Sequence, residues 1–264
     1  MKKYLVIGNP INHSLSPELH NHWIKQNRLD AIYEKKKLNN NDLEELIFNV
    51  KKGNINGANV TVPFKNAIIP YLDELSNEAK KTRSVNTVYL KDKKVIGHNT
   101  DIEGFENAIK NIDFNLKNKK IFILGAGGVV PSIIYALIKM GSSKIMISNR
   151  TEKKADEVKN IFNNIKIIRW GEIPNFDVVI NATSLGLNYD DKMNLDFTKV
   201  GKNKLFYDVI YNPSETNFLS SGKKLGNKYE NGKLMFIYQA FSAFKLWHGI
   251  KPSINNETIK LLDR

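Results

Sequence analysis

The sequence predicts an α/β protein built as two α/β units. Short apolar runs alternate with helical patterns through the first third, and from about Lys119 the alternation becomes a regular βαβ series. Between one apolar run and the next helix stands a glycine-rich loop, Gly125-Ala126-Gly127-Gly128. Strands and helices alternating at this spacing imply a parallel sheet with helices on both faces.

Each element has its own local reason. Residues 4–7 read as a strand, and Ser16-Pro17 as an N-cap followed by proline at the first helical position, opening a helix to about Arg28. Residues 58–62 form an apolar strand stopped by Pro63, and residues 85–90 and 95–97 flank a polar turn at 91–94 as a hairpin. In the second series, 121–124 is a buried strand, 132–140 a helix ended by Gly141, 145–148 a strand, 152–162 a helix, and 177–181 and 205–209 are strands. A long helix over 234–247 precedes Gly249. The expected division is 1–102 plus 236–264 for the first domain and 103–235 for the second; the return of the last helices to the first domain is not written in the periodicity.

Composition narrows the function classes. At 264 residues, with 41% hydrophobic and 25% charged residues, the chain has an ordinary globular balance. No apolar run approaches the roughly 20 residues that span a bilayer. The run at 4–7 is too short for a signal-peptide core, so neither a membrane partner nor secretion is expected. The absence of cysteine excludes disulfides, thiolate metal sites and cysteine nucleophiles, and agrees with a cytoplasmic location. A net charge of +13 raises nucleic-acid binding. Arginine, however, stands only at 28, 83, 150, 169 and 264, and the short lysine runs at 35–37 and 117–120 lack stacking aromatics. No nucleic-acid partner is expected; the positive field suits small anions. A homodimer is left open.

The loop Gly125-Ala126-Gly127-Gly128-Val129 has the strand–loop–helix placement of a dinucleotide site, although Val130 stands where a third glycine is usual. Glycines let the backbone approach a pyrophosphate, and the helix N-terminus supplies N–H donors. The end of the following strand selects the cofactor. An NAD site places a carboxylate there; this chain has Asn149-Arg150-Thr151, with Lys154 one turn on. A guanidinium clamps a 2′-phosphate that a carboxylate would repel, so NADP is expected.

Four further segments combine small polar residues with sharp turns: 8–17, 57–65, 84–87 and 97–101. They hold Ser14, Ser16, Asn59, Thr61, Lys65, Asn86 and Asp101. Together these segments closely resemble the shikimate dehydrogenase family, and the resemblance extends over essentially the whole chain. It also takes in Asp208-Val209-Ile210-Tyr211-Asn212-Pro213, Asn181-Ala182-Thr183-Ser184-Leu185-Gly186, and Gln239 within 235–240.

The resemblance implies an N-terminal substrate domain, a Rossmann-like NADP domain and a cleft between them. It also implies reversible NADPH-dependent reduction of 3-dehydroshikimate to shikimate. By similarity, Ser14 and Ser16 hold the substrate carboxylate, while Asn59, Thr61, Asn86 and Asp101 bond the ring hydroxyls and Lys65. Tyr211 and Gln239 reach the substrate, and Thr183, Val209 and Gly232 join the cofactor contacts. Lys65 and Asp101 form the catalytic pair. The chain departs from the family pattern at Arg83-Ser84, Ile102-Glu103 and Lys233-Leu234.

Blander readings stand beside these. A lysine after a proline turn is usually a surface lysine, Asp101 can cap the following helix, and Ser16 is expected to cap its own. Tyr211 and Gln239 suit packing and a satisfied amide. His13 and His98 suit structural hydrogen bonds, and no cluster has metal-ligand spacing. A quinate-using relative with relaxed cofactor choice and a non-catalytic basic binding protein are the rival functions; the Lys65–Asp101 pairing disfavours the second, because a binder has no need of it.

Overall fold

In the computed structural model, which describes residues 1–188, 190–191 and 193–263, the chain divides into two units. One comprises Met1–Gly104 with Ile237–Asp263, the other Phe105–Phe236. Arg264, the last residue of the expected first domain, lies outside the described residues.

The first unit runs β1 (Lys2–Gly8), α1 (Ser16–Gln26), β2 (Ala31–Lys37), α2 (Leu43–Lys51), β3 (Gly57–Val60), α3 (Phe64–Ala67), β4 (Glu74–Leu75), α4 (Asn77–Thr82), β5 (Thr87–Lys91) and β6 (Lys94–His98), into the start of α5 (Asp101–Asn111). Its sheet has the order β2-β1-β3-β5-β6-β4. The first three strands are mutually parallel, and β5 is antiparallel to both neighbours. Tyr4, Leu5, Val6 and Ile7 are all buried, as a central strand covered on both faces requires. The expected hairpin is present, with Lys91 opposite Lys94. Its two loop residues, Asp92 and Lys93, have φ of 49° and 62°, the left-handed pair that matches strand twist.

One local expectation is overturned. Ser16 does not cap α1: Leu15 occupies the cap position without a side-chain bond, and Ser16 is the first helical residue. The turn closed by Ser14 N–H to Ile11 O sends Leu15 into the core, and the helix starts one residue earlier than expected. Ser14 is the hydroxyl that takes a helix-start donor, accepting from Ser16 N–H at 3.3 Å. The helix ends at Gln26, and Arg28 adopts a left-handed φ of 52° beyond it.

The second unit continues with β7 (Lys120–Leu124), α6 (Val130–Lys139), β8 (Lys144–Ser148), α7 (Glu152–Lys159), β9 (Lys166–Ile167), β10 (Val178–Asn181), β11 (Leu205–Asp208), α8 (Asn217–Lys224), β12 (Lys228–Glu230) and the start of α9 (Lys233–His248). Every pairing is parallel, in the order β12-β11-β10-β7-β8-β9. Counted from β7 and read from the far edge, this is the 3-2-1-4-5-6 order of a dinucleotide fold, with its switch point between β7 and β10. Helix α6 begins two residues earlier than expected, because Pro131 fits a first turn and not a loop. Gly141, with φ of 78°, ends it.

From Ile237 onward, α9 and the short α10 (Asn256–Lys260) belong to the first unit. Trp247 Nε1 donates to Val88 O at 3.1 Å, and Trp23 Nε1 to Ser253 O at 2.9 Å. Among the described residues no helix is long and apolar enough to cross a membrane.

Candidate active site

Strand direction gathers the four polar segments at one end of the first sheet. Strands β1 and β3 are parallel neighbours, so Gly8 and Val60 finish side by side. Strand β5 runs the other way, with Thr87 opposite Asn59, and β6 returns, with His98 opposite Thr87. The loops are stitched by backbone bonds: Asn9 N–H to Val62 O at 3.0 Å, Val60 N–H to Asn86 O at 2.8 Å, Val85 N–H to Lys65 O at 2.9 Å and Asn86 N–H to His98 O at 3.1 Å.

Lys65 and Asp101 meet within this cluster. Nζ of Lys65 donates to Oδ2 of Asp101 at 2.6 Å, and the two residues are 8% and 6% exposed. The lysine therefore does not sit on the surface. A buried ammonium or carboxylate is costly unless paired and hydrogen-bonded, and here each supplies the other's partner. Oδ1 of Asp101 accepts from Asn86 Nδ2 at 2.8 Å, so both carboxylate oxygens are held by side chains. Although Asp101 is the first residue of α5, its carboxylate is directed to these two groups.

Asn86 is the hub. Its Oδ1 accepts from Thr100 N–H at 2.7 Å and Thr87 Oγ1 at 3.0 Å; its Nδ2 also reaches Thr100 Oγ1 at 3.0 Å and, at 3.5 Å, Gln239 Oε1 on α9. Asn59 Nδ2 donates to Asn86 O and Thr87 Oγ1, each at 3.1 Å. Thr61 is partly buried, its N–H bonded to Ile7 O at 2.9 Å. The structure thus joins Lys65, Asp101, Asn86, Asn59 and Gln239 in one network, with Ser14 and Ser16 at the head of α1 and Thr61 at the turn after β3. Tyr211 lies on the second unit, its ring stacked on Phe236 at 4.6 Å.

Three residues of this network had not been singled out: Thr87, Thr100 and Tyr33. The threonines lie inside the polar segments already noted, and their strand-end positions were the available signal. Tyr33, on β2, donates its hydroxyl to Asn59 Oδ1 at 2.7 Å; nothing in its local sequence marks it.

In the second unit the expected cofactor residues follow the C-terminal ends of β7, β8, β10, β11 and β12. Gly125 has φ of 111°, and a Cβ there would lie 2.7 Å from Ala182 O, so only glycine fits. Val129 caps the ten-residue α6 without a side-chain bond, and Val130, in the place of a third glycine, is fully buried. Thr183 Oγ1 donates to Asn181 Oδ1 at 2.7 Å and accepts from Leu185 N–H at 3.0 Å. Val209 N–H bonds Asn181 O, and a Cβ on Gly232 would lie 2.1 Å from Val209 O. Beyond β8, Arg150, Thr151 and Lys154 are exposed, and Asn149 Nδ2 donates to Thr151 O at 2.8 Å.

Asp208 ties these loops together. It accepts from Asn181 Nδ2 at 3.0 Å, Thr216 Oγ1 at 2.6 Å and Ile210 N–H at 3.0 Å. Burial pushes its carboxyl up to about 6, against the opposing pull of these donors.

A family model described as the shikimate dehydrogenase substrate binding domain matches residues 6–88, and one described as shikimate / quinate 5-dehydrogenase matches 106–211. A protein of Pelagibacter ubique named shikimate dehydrogenase (NADP(+)) is 58% identical over 262 residues, covering 99% of both chains. The chain belongs to the shikimate dehydrogenase family. Among solved family structures, that from Aquifex aeolicus has a TM-score of 0.91 at 35% identity, covering 100% of this chain and 98% of its own. A family structure in complex with NADP+ has a TM-score of 0.90 at 35% identity, covering 99% and 94%. The family's build, a substrate-binding α/β domain followed by a Rossmann-like one, accounts for the two sheets.

One departure from the family pattern has a local consequence. Arg83 caps the C-terminus of α4 with φ of 48° and ψ of 38°, a conformation glycine adopts most easily.

Proposed function

We propose that this chain catalyses the reversible NADPH-dependent reduction of 3-dehydroshikimate to shikimate, with Lys65 as general acid and base and Asp101 as its partner. The observation that carries the reading is the buried 2.6 Å contact between those two side chains, set among amides and hydroxyls suited to a polyol. In this reading residues 1–102 and 236–264 bind substrate and residues 103–235 bind NADP.

NADPH, when bound, supplies the hydride that reduces the ketone carbon. Lys65 donates the proton that the developing alkoxide needs and, in the reverse direction, takes it from the hydroxyl. Asp101 balances the ammonium and aims it, and Asn86 keeps the carboxylate from rotating away. Ser14 and Ser16 hold the substrate carboxylate at the N-terminus of α1, whose dipole adds attraction for an anion. Asn59, Thr61, Asn86, Tyr211 and Gln239 read the hydroxyls; an analogue lacking one leaves a buried amide unpaired and is rejected.

The glycine-only backbone at 125 and the α6 N-terminus without a side-chain cap fit a dinucleotide pyrophosphate. Loop residues 125–129 with Thr183, Val209 and Gly232 hold that cofactor. Asn149, Arg150, Thr151 and Lys154 take its 2′-phosphate. The same reading expects a cytoplasmic protein and leaves the homodimer open, to be decided by light scattering.

Purified protein is expected to oxidise shikimate with NADP+ far faster than it uses NAD+ or quinate; equal rates overturn the assignment. Arg150→Ala is expected to weaken NADP+ about 10- to 100-fold, the range of a lost charged hydrogen bond, and to leave NAD+ nearly unaffected. Matching losses would remove Arg150 from the phosphate site.

A further inference from the structure

Tyr33 is 2% exposed and bonds one of the proposed substrate ligands, Asn59. Its role follows from hydrogen-bond direction. Nδ2 of Asn59 faces the carbonyl of Asn86, which can only accept, so Oδ1 of Asn59 faces Tyr33 and the phenol must donate. The phenol oxygen keeps its capacity to accept. One hydroxyl on β2 therefore holds the Asn59 amide near the end of β3.

The ring itself is fixed. It stacks on His20 with centroids 4.2 Å apart and planes 2° from parallel. Its backbone is clamped to α1 through Tyr33 N–H to Asn21 Oδ1 at 3.0 Å and Asn21 Nδ2 to Tyr33 O at 2.8 Å. From Asn59 the bonds continue through Thr87 Oγ1 at 3.1 Å and Asn86 Oδ1 at 3.0 Å to Asp101 Oδ1 at 2.8 Å. Every donor along that path points toward the carboxylate that holds Lys65.

We infer that Tyr33 is a positioning residue for substrate recognition: without contacting substrate, its hydroxyl sets the orientation of Asn59, on which discrimination of a hydroxylated ring acid depends. This rests on the reaction proposed above. The alternative, that Tyr33 serves packing alone, predicts no effect confined to the substrate.

Tyr33→Phe removes one oxygen and keeps the ring on His20. The expected result is a KM for shikimate raised about tenfold, the effect of leaving one buried acceptor unpaired, with the KM for NADP+ unchanged. The ratio of kcat/KM for shikimate to that for an analogue lacking a ring hydroxyl falls by a similar factor. That ratio is independent of how much of the variant is folded, so it answers even for a destabilised protein. A shikimate KM and a ratio both within about twofold of wild type, or two KM values rising together with the ratio unchanged, overturn the inference. Wild-type protein that cannot oxidise shikimate would overturn the assigned reaction and this inference with it. An active wild type with an unaltered Tyr33→Phe overturns the inference alone.

Discussion

Replacing Lys65 with methionine keeps an apolar stem and removes the ammonium, leaving Asp101 6% exposed and deprived of the 2.6 Å contact on Oδ2. Breaking a buried ion pair from one side costs about 3–5 kcal/mol. Asn86 still donates to Oδ1, which favours the lower figure. About 3 kcal/mol corresponds to a fall in Tm of about 6–12 °C for a chain of this size. Asp101→Asn strands the ammonium instead and incurs a similar loss. The double variant carries neither charge, so its loss should be smaller than the sum of the single losses by about 1–3 kcal/mol. Turnover behaves differently: Lys65→Met should lose about 10²–10⁴-fold in kcat, and the double variant as much, because no proton donor returns. Thermal and denaturant unfolding read the first effect, and initial rates of NADP+ reduction with shikimate read the second. Additive stability losses would show that the two side chains do not interact in solution. Recovery of wild-type turnover in the double variant would remove Lys65 from proton transfer.

Two further outcomes concern stability. His20 is fully buried, among the described residues neither ring nitrogen has a hydrogen-bond partner, and burial followed by the nearby His248 pushes its titration down to about 3. The folded value lies below the ordinary 6.5, so its contribution is full above about 6.5 and is lost as the pH falls toward 3. Each unit of that fall costs about 1.4 kcal/mol, or about 3 kcal/mol by pH 4. His20→Phe should flatten this acid limb in denaturant titrations, and an unchanged slope would contradict neutral burial. Arg83→Gly relieves a left-handed conformation worth about 1–2 kcal/mol against glycine's own entropy cost of about 0.5–1 kcal/mol, so a small gain in denaturant midpoint is expected. A lowered midpoint would show that the arginine side chain contributes more than its backbone costs.

Legibility in the sequence followed how locally each feature is determined. The second unit was readable because its strands are continuous apolar runs; Ile121 to Leu124 is wholly buried, as an all-parallel sheet demands. Lys65, Asn59, Asn86 and Asp101 were readable because polar residues beside sharp turns at strand ends are uncommon in a bare scaffold. Strand β2 was not. Its sequence, Ala31-Ile32-Tyr33-Glu34-Lys35-Lys36-Lys37, resembles a charge run because it is an edge strand paired only with β1, where lysines guard against association. Tyr33 is its one buried residue, so the pattern that would betray it is missing. Ser16 misled for a different reason: serine before proline favours a cap locally, but the burial of Leu15 decides where the helix starts. The bonds that return α9 and the tail to the first unit span 159 and 230 residues, a distance no local period encodes.

That discontinuity also sets an order of events on the ribosome. Strands β1 to β6 are synthesised early, yet Trp23 and Val88 receive their last partners only when Ser253 and Trp247 are made. The second unit alone, Phe105–Phe236, interposes roughly 130 residues, or about 7–26 s at about 5–20 residues per second. Throughout that interval the nascent N-terminal half carries apolar surface that nothing yet covers, while the uninterrupted stretch from Phe105 to Phe236 has all its own strands in hand. The half translated first is therefore the half that must wait, and it is the one exposed to chaperones and proteases.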